Sequence, residues 1–323
     1  MQNRSTIWLF ADIGATYVRF AIYDPTQETY SDPSQTLVAQ YDSLAAACKS
    51  YLEERALTIS AAAIAIACPI LGDQVTMTNH SWGFSQQQFK HDLQLDHLIV
   101  INDQVAIARG IPFLPQNAIQ PLGGVLAIDE SAPKGVLAPG SGLGTATLVP
   151  TANGWHAFAS EGGHVTLAAT NEFEAQVIAA LAKKHGGHIS AERLVSGQGI
   201  VNLYQTICQL EGCAPSAPLT AQDIVAAGAT DDRAQKTIAG FTGFLGNVAG
   251  NLALSLGARG GIYVSGGIIS KLGQAFDVKV FRDAFEAKGR FADYLHATPT
   301  FLITHPMPAF IGIRQMINSL SKS

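Results

Sequence analysis

Leu98-Ile99-Val100-Ile101-Asn102-Asp103-Gln104 runs apolar for four residues and then stops on an amide and a carboxylate. The apolar part predicts a buried strand, and the pattern from about Val105 predicts a helix after it. A carboxylate beside a core is costly to desolvate unless something pairs it or uses it. A base that takes a proton from an alcohol is such a use, and Asp103 is the candidate.

Upstream, Trp8–Ala11 and Val18–Tyr23 read as two strands joined by a short turn around Gly14, a hairpin. Asp42 to Ala56 reads as a helix, Ala61 to Ile70 as a nearly continuous apolar strand, and Gln74 to Thr78 as another. Ser85 followed by Gln88 predicts a capping box opening a helix to Leu95. Downstream, Pro112 and Pro115 end the helix and mark a domain boundary. Strands are then predicted at 124–129, 134–138, 145–149 and 155–159. Helices follow at 172–184, from Ser190, at 199–210, after Thr220-x-x-Asp223, and at 231–256. A strand at 261–265, a helix at 277–287, a strand at 300–304 and a helix from Met307 complete the chain. Alternating strands and helices imply an α/β architecture. No repeat at a fixed period is evident.

The 323 residues suit two domains, and 47% apolar against 14% charged residues describes a well-buried chain. A net charge of -5 leaves no basic stripe, which argues against nucleic acid. ATP needs no basic protein, because Mg2+ and backbone amides can carry its charge locally. Cys48, Cys68, Cys208 and Cys213 include no Cys-x-x-Cys pair and read as reduced thiols, so no metal site is expected. The opening Met1-Gln-Asn-Arg-Ser has no leader-like apolar stretch, which predicts a cytoplasmic protein. Ile238 to Gly257 is uncharged and long enough to span a bilayer. Its glycines at 240, 243, 246 and 250, with Asn247 and Asn251, fit a central helix packed on a sheet better, so no membrane is expected.

Several further segments can carry chemistry. Asp12-Ile13-Gly14-Ala15-Thr16 forms the tip of the first hairpin, where turn amides can hold phosphate oxygens, Asp12 can hold Mg2+ and the Thr16 hydroxyl can donate. Taken alone, it fits an ordinary hairpin turn better. Gly140-Ser141-Gly142-Leu143-Gly144-Thr145 is a second glycine turn between strands, lacking both the Gly-Lys-Ser/Thr of a P-loop and the following helix of a dinucleotide site. A floppy hairpin loop is the other reading. Ser160-Glu161-Gly162-Gly163-His164 sets a carboxylate and an imidazole on one bend, suited to neighbouring ring hydroxyls or to a surface ion pair. Glu192 falls in a first helical turn, which the helix dipole favours in any case. The loop Asn79-His80-Ser81-Trp82-Gly83-Phe84 offers aromatic and amide groups for a sugar face.

Together these segments resemble the bacterial-type glucokinases of the hexokinase–actin-like ATPase superfamily, from about Ile7 to Gly312. The matches are Ile66-Ala-Cys-Pro-Ile70, Thr78-Asn-His-Ser-Trp82, Ile101-Asn-Asp103, Gly140-Ser-Gly-Leu-Gly144, Glu161-Gly-Gly-His164, Ser190-Ala-Glu-Arg193 and Lys288-Gly-Arg-Phe291, in the family's order. The resemblance implies two actin-like (ribonuclease H-like) α/β domains with an interdomain cleft, residues 1–111 with 305–323 and residues 112–304, the C-terminal helix rejoining the first. It implies ATP-dependent phosphorylation of D-glucose at O6, the first step of glycolysis, with Mg2+, by a homodimer. Asp103 is then the general base, with Asn79, Asn102, Glu161, His164 and Glu192 around the sugar. Ala11, Asp12, Ile13, Gly14, Ala15 and Thr16 are the first phosphate loop, Gly140, Ser141, Gly142, Gly144 and Thr145 the second, and Gly266 and Gly267 part of the adenosine pocket. A kinase for another hexose, or a sugar sensor of weak activity, remains open.

Three departures fall on the nucleotide side. Family members favour glycine where this chain has Ala15, asparagine where it has Tyr17, and small residues where it has Ile313-Arg314. Ala15 matters if that position has positive φ, which is costly for a residue with a Cβ. The related ROK proteins carry cysteines after their Glu-x-Gly-His loop. Val165 to Thr170 contains none, so a structural zinc is not expected. Nor does a DNA-binding extension precede Trp8, so repression is not expected either.

Overall fold

The computed structural model describes residues 7–77, 80–124, 127–214 and 219–320. It is an α/β fold with mixed sheets, and it divides into two compact units, residues 1–114 with 305–323 and residues 115–304.

The first unit begins with strands β1 (Trp8–Ile13), β2 (Tyr17–Asp24) and β3 (Thr29–Leu37). Helix α1 (Leu44–Glu53), β4 (Ala61–Ile66), the short strands β5 (Gln74–Thr76) and β6 (Gly83–Ser85), α2 (Gln86–Asp92), β7 (His97–Asn102) and α3 (Asp103–Gly110) follow. The five-stranded sheet has the order β3-β2-β1-β4-β7, with β1, β4 and β7 parallel and β2 and β3 antiparallel. Both faces of β1 and β4 are covered, as expected of parallel strands. Leu9, Ala11 and Ile13 face Ala47, Cys48 and Tyr51 of α1 in one core. On the other face Phe10 meets Phe310 of the C-terminal helix Pro308–Leu320, ring centroids 5.6 Å apart. That helix lies so close to α3 that a Cβ on Gly312 would overlap the Ala106 carbonyl.

The second unit contains β8 (Ile119–Pro121), β9 (Lys134–Pro139), β10 (Leu143–Thr151) and β11 (Gly154–Ser160), then α4 (Glu172–Lys184), α5 (Gly197–Leu210), α6 (Ala221–Ala227) and α7 (Asp232–Leu256). The strand β12 (Ile262–Val264), α8 (Gly267–Leu272), α9 (Val278–Glu286), α10 (Ala292–His296) and β13 (Thr300–Ile303) complete it. Its sheet has the order β11-β10-β9-β12-β13-β8, with β9, β12 and β13 parallel. The five strands from β11 to β13 thus repeat the order and sense of β3-β2-β1-β4-β7. Among the described residues no helix is long and apolar enough to cross a membrane. In α7 the glycines serve packing: a Cβ on Gly246 would overlap the carbonyl of Phe281 on α9.

Some elements differ from expectation. Strand β7 lies at the sheet edge with only Ile101 buried, so its apolar run is a half-covered edge and not a central strand. No strand forms at 127–129, and β8 takes the place beside β13; residues 125 and 126 lie outside the described residues. Ser85 caps α2, but Gln88 bonds Asp92 and closes no box. Thr220 and Asp223 do make both bonds of a capping box.

Candidate active site

In the first unit the register aligns Ile13 with Ile66 and Ile66 with Asn102. Asp12 and Asp103 therefore bracket one row at the carboxyl ends of three parallel strands, the usual ligand edge of an open α/β sheet. Asn102 ends β7 in an extended conformation and caps α3. Its Oδ1 accepts from the amides of Gln104 (3.0 Å) and Val105 (3.1 Å), and its Nδ2 donates to the Cys68 carbonyl at 3.3 Å. The side chain is thus committed to the backbone that aims Asp103.

Asp103 Oδ2 accepts from Gln104 Nε2 at 2.8 Å. Among the described residues no Lys or Arg pairs with this carboxylate, whereas Arg19 Nη1 lies 3.2 Å from Asp12 Oδ2. Burial first, and the Asp12 charge second, push the Asp103 carboxyl up to about 7, against hydrogen bonds from Gln104 that pull it down. Burial also raises Asp12, with Arg19 opposing. A carboxyl so poised is half-ionised near neutrality, where a general base works best.

At the first hairpin tip the Gly14 amide donates to the Tyr17 carbonyl at 3.0 Å. Ala15 is absent from the residues with positive φ, so its methyl group imposes no backbone strain. Thr16 is exposed. Ala11 and Ile13 are fully buried members of β1, which is paired on both sides. Gly14 to Thr16 form the tip itself, and Asp12 lies near the end of β1.

In the second unit the topologically equivalent hairpin is the Gly140–Gly142 turn between β9 and β10, where Gly140 N–H donates to the Gly142 carbonyl at 2.8 Å. Three elements brace it. Gly197 N–H, opening α5, donates to the Gly140 carbonyl at 2.8 Å. Glu192 Oε2 accepts from the Leu143 amide at 2.8 Å. Gly266, at φ 99°, passes so near that a Cβ would overlap the Pro139 carbonyl, and Gly267 begins α8 beside it. Ser141 is exposed and Gly144 partly so. Thr145 is 2% exposed, and its hydroxyl meets Ser160 Oγ (2.7 Å), the Ser160 carbonyl (3.1 Å) and the Gly162 amide (2.9 Å). The threonine hydroxyl therefore ties β10 to the next loop.

That loop carries Glu161 and His164, whose side chains are 61% and 52% exposed with Oε2 and Nε2 3.7 Å apart. The 3-10 turn Gly162–His164 lies flat on β10, because a Cβ on Gly163 would overlap the Leu143 carbonyl. Leu143 thus contacts the Glu161–His164 turn and bonds Glu192, so three expected sugar ligands and the glycine turn share one frame. Asn79 lies outside the described residues. Trp82 is buried, its Nε1 donating to the Tyr41 carbonyl at 3.0 Å, and offers no face to a sugar. Gln104 and Arg19 were not anticipated, although Gln104 adjoins Asp103 and the hairpin spacing sets Arg19 opposite Asp12. Among the described residues no group of three His, Cys, Asp or Glu side chains is placed to hold a metal ion.

Comparison with known proteins fits this geometry. The family model described as Glucokinase matches residues 9–320. A glucokinase of Paramagnetospirillum magneticum is 41% identical over 319 residues, 97% of this chain and 98% of that protein. A glucokinase of Nitrobacter hamburgensis is 40% identical over 98% of both chains. The crystal structure of a glucokinase from an Antarctic psychrotroph superposes with a TM-score of 0.81 at 32% identity, over 97% of this chain and 99% of that one. With nearly its whole length matched in this way, the chain belongs to the glucokinase family.

Proposed function

We propose that this protein transfers the γ-phosphate of ATP to O6 of D-glucose, with Asp103 as the base that accepts the hydroxyl proton. The observation that carries this reading is the unpaired, elevated carboxyl of Asp103 at the carboxyl edge of a parallel sheet. The kinship with glucokinases supports glucose as acceptor over another hexose or a silent sensor. Phosphoryl transfer asks a protein mainly for positioning and charge stabilisation. Gln104 fixes the base, and Asn102 fixes the turn that bears it. Glu161 and His164 offer an acceptor and an imidazole to sugar hydroxyls, and the free oxygen of Glu192 can join them.

The Gly14–Thr16 and Gly140–Gly142 turns are the hairpin tips that ATP phosphates would meet, with Gly266 and Gly267 beside the second. Mg2+ commonly enters with phosphates and needs only one or two protein carboxylates. Asp12 fits that requirement through the oxygen that Arg19 leaves open. The ion would neutralise charge on the phosphate oxygens. The repeated strand order supports the actin-like reading of both units, and the family resemblance carries the proposals of a cytoplasmic homodimer that feeds glycolysis.

General-base assistance is worth about a hundred- to ten-thousand-fold. Asp103→Ala should therefore lose turnover on that scale while glucose binding stays measurable by calorimetry. Near-normal turnover would overturn the assignment.

A further inference from the structure

The C-terminal end of α5 carries two cysteines that phosphoryl transfer does not employ. Gly212 has φ 70°, its N–H donates to the Gln209 carbonyl at 3.2 Å, and the Cys213 N–H donates to the Cys208 carbonyl at 2.9 Å. This bond pair is the Schellman closure of a helix, which sets its outermost residues, here 208 and 213, against each other. Those positions usually hold an apolar contact; here both hold thiols. Cys213 Sγ donates to the Cys208 carbonyl at 3.3 Å, which holds its side chain over that residue.

The 2.9 Å backbone bond keeps the two Cα atoms within about 7 Å. Beyond that separation a disulfide cannot close without backbone movement. The two sulfurs differ in access, since Cys208 is buried and Cys213 is partly exposed. Burial and the neighbouring thiol also push the Cys208 thiol up, so it is the poorer first nucleophile.

We infer that Cys208 and Cys213 form an oxidisable dithiol, in which Cys213 is the entry thiol for a low-molecular-weight disulfide and Cys208 resolves it. The Cys213 thiolate attacks one sulfur of oxidised glutathione, forming a mixed disulfide and releasing one glutathione thiolate. Cys208 then gives up its proton to solvent and attacks Cys213 Sγ, forming the Cys208–Cys213 bond and expelling the second glutathione. Two protein thiols are oxidised and one glutathione disulfide is reduced to two thiols. The ring encloses Glu211, whose carboxylate pairs with Arg233 (2.9 Å) and Lys236 of α7, so oxidation would fasten the α5 terminus beside that ion pair.

The test exposes the full-length protein to oxidised glutathione at pH 8 and maps its peptides without reduction. Titratable thiols should fall from four to two, with residue 208 linked to residue 213 and buried Cys48 and Cys68 unchanged. Cys208→Ser should stop at a glutathione adduct on Cys213, and Cys213→Ser should take up little. Kinase activity and circular dichroism before oxidation establish that each variant is folded. An unreactive wild type, an adduct on Cys213 that never resolves, or a bridge to another cysteine would each overturn the inference.

Discussion

Replacing Asp103 with Asn should silence the protein and stabilise it at the same time. The carboxyl titrates at about 7 in the folded chain against 3.8 for an unperturbed group, because burial and the Asp12 charge disfavour its ionised form. The native state therefore binds this proton more tightly than the unfolded chain does. That contribution to stability is complete below about pH 4 and is lost as pH rises through about 7, after which the gap is constant. A shift of about three units corresponds to about 4 kcal/mol. Water reaching the partly exposed carboxylate reduces that to about 2–3 kcal/mol. An amide carries no charge at any pH and can still accept from Gln104. Asp103→Asn should thus match the wild type near pH 3, already exceed it by about 1 kcal/mol at pH 4.5, and exceed it by the full amount at pH 8. Urea denaturation without sugar, followed by the fluorescence of Trp8 and Trp82, measures both. Equal stabilities at pH 8, or a difference that is the same at pH 3 and pH 8, would refute the argument that a costly buried charge is kept at this position for catalysis.

Gln104→Leu removes the side-chain donor to Asp103, so the acid limb of the kcat–pH profile should move up by several tenths of a unit, with glucose KM little changed. Gly163→Ala forces the Glu161–His164 turn off β10, and glucose KM should rise more than tenfold while ATP KM moves far less; steady-state kinetics separates the two. Gly312→Ala drives a methyl group into the Ala106 carbonyl of α3, and the first unit should lose about 3 kcal/mol in chemical denaturation, the upper range for overpacking.

The alternation of strands and helices was legible because apolar runs and caps carry it. Asp231 opens α7, and Gly257 closes it at φ 60°. Strand β3 was not legible: none of its residues is buried and they include Pro33, so no apolar period marks it. The duplication of strand order was equally hidden, since topology repeats here without a repeated residue pattern. At the site, Asp103 stood out as a charge ending an apolar run. Sequence spacing does not say where a strand stops and its turn begins. Ala11 and Ile13 adjoin the turn but point into sheet and core. Thr145 reads as a polar loop residue because its partners, Ser160 and Gly162, come from across a hairpin. Glu192 is bound to Leu143, which lies 49 positions away.

The packing of α3 against the helix Pro308–Leu320 also bears on how the protein is made. The helix that begins with Asp103 is synthesised roughly 200 residues before its partner. Until that partner leaves the ribosome, Ala106 and Gly110 lack the helix they pack on, and Phe10 lacks the Phe310 ring beside it. A nascent chain carrying every expected substrate ligand would still lack a firmly seated base, so turnover should begin only after translation has passed the C-terminal helix.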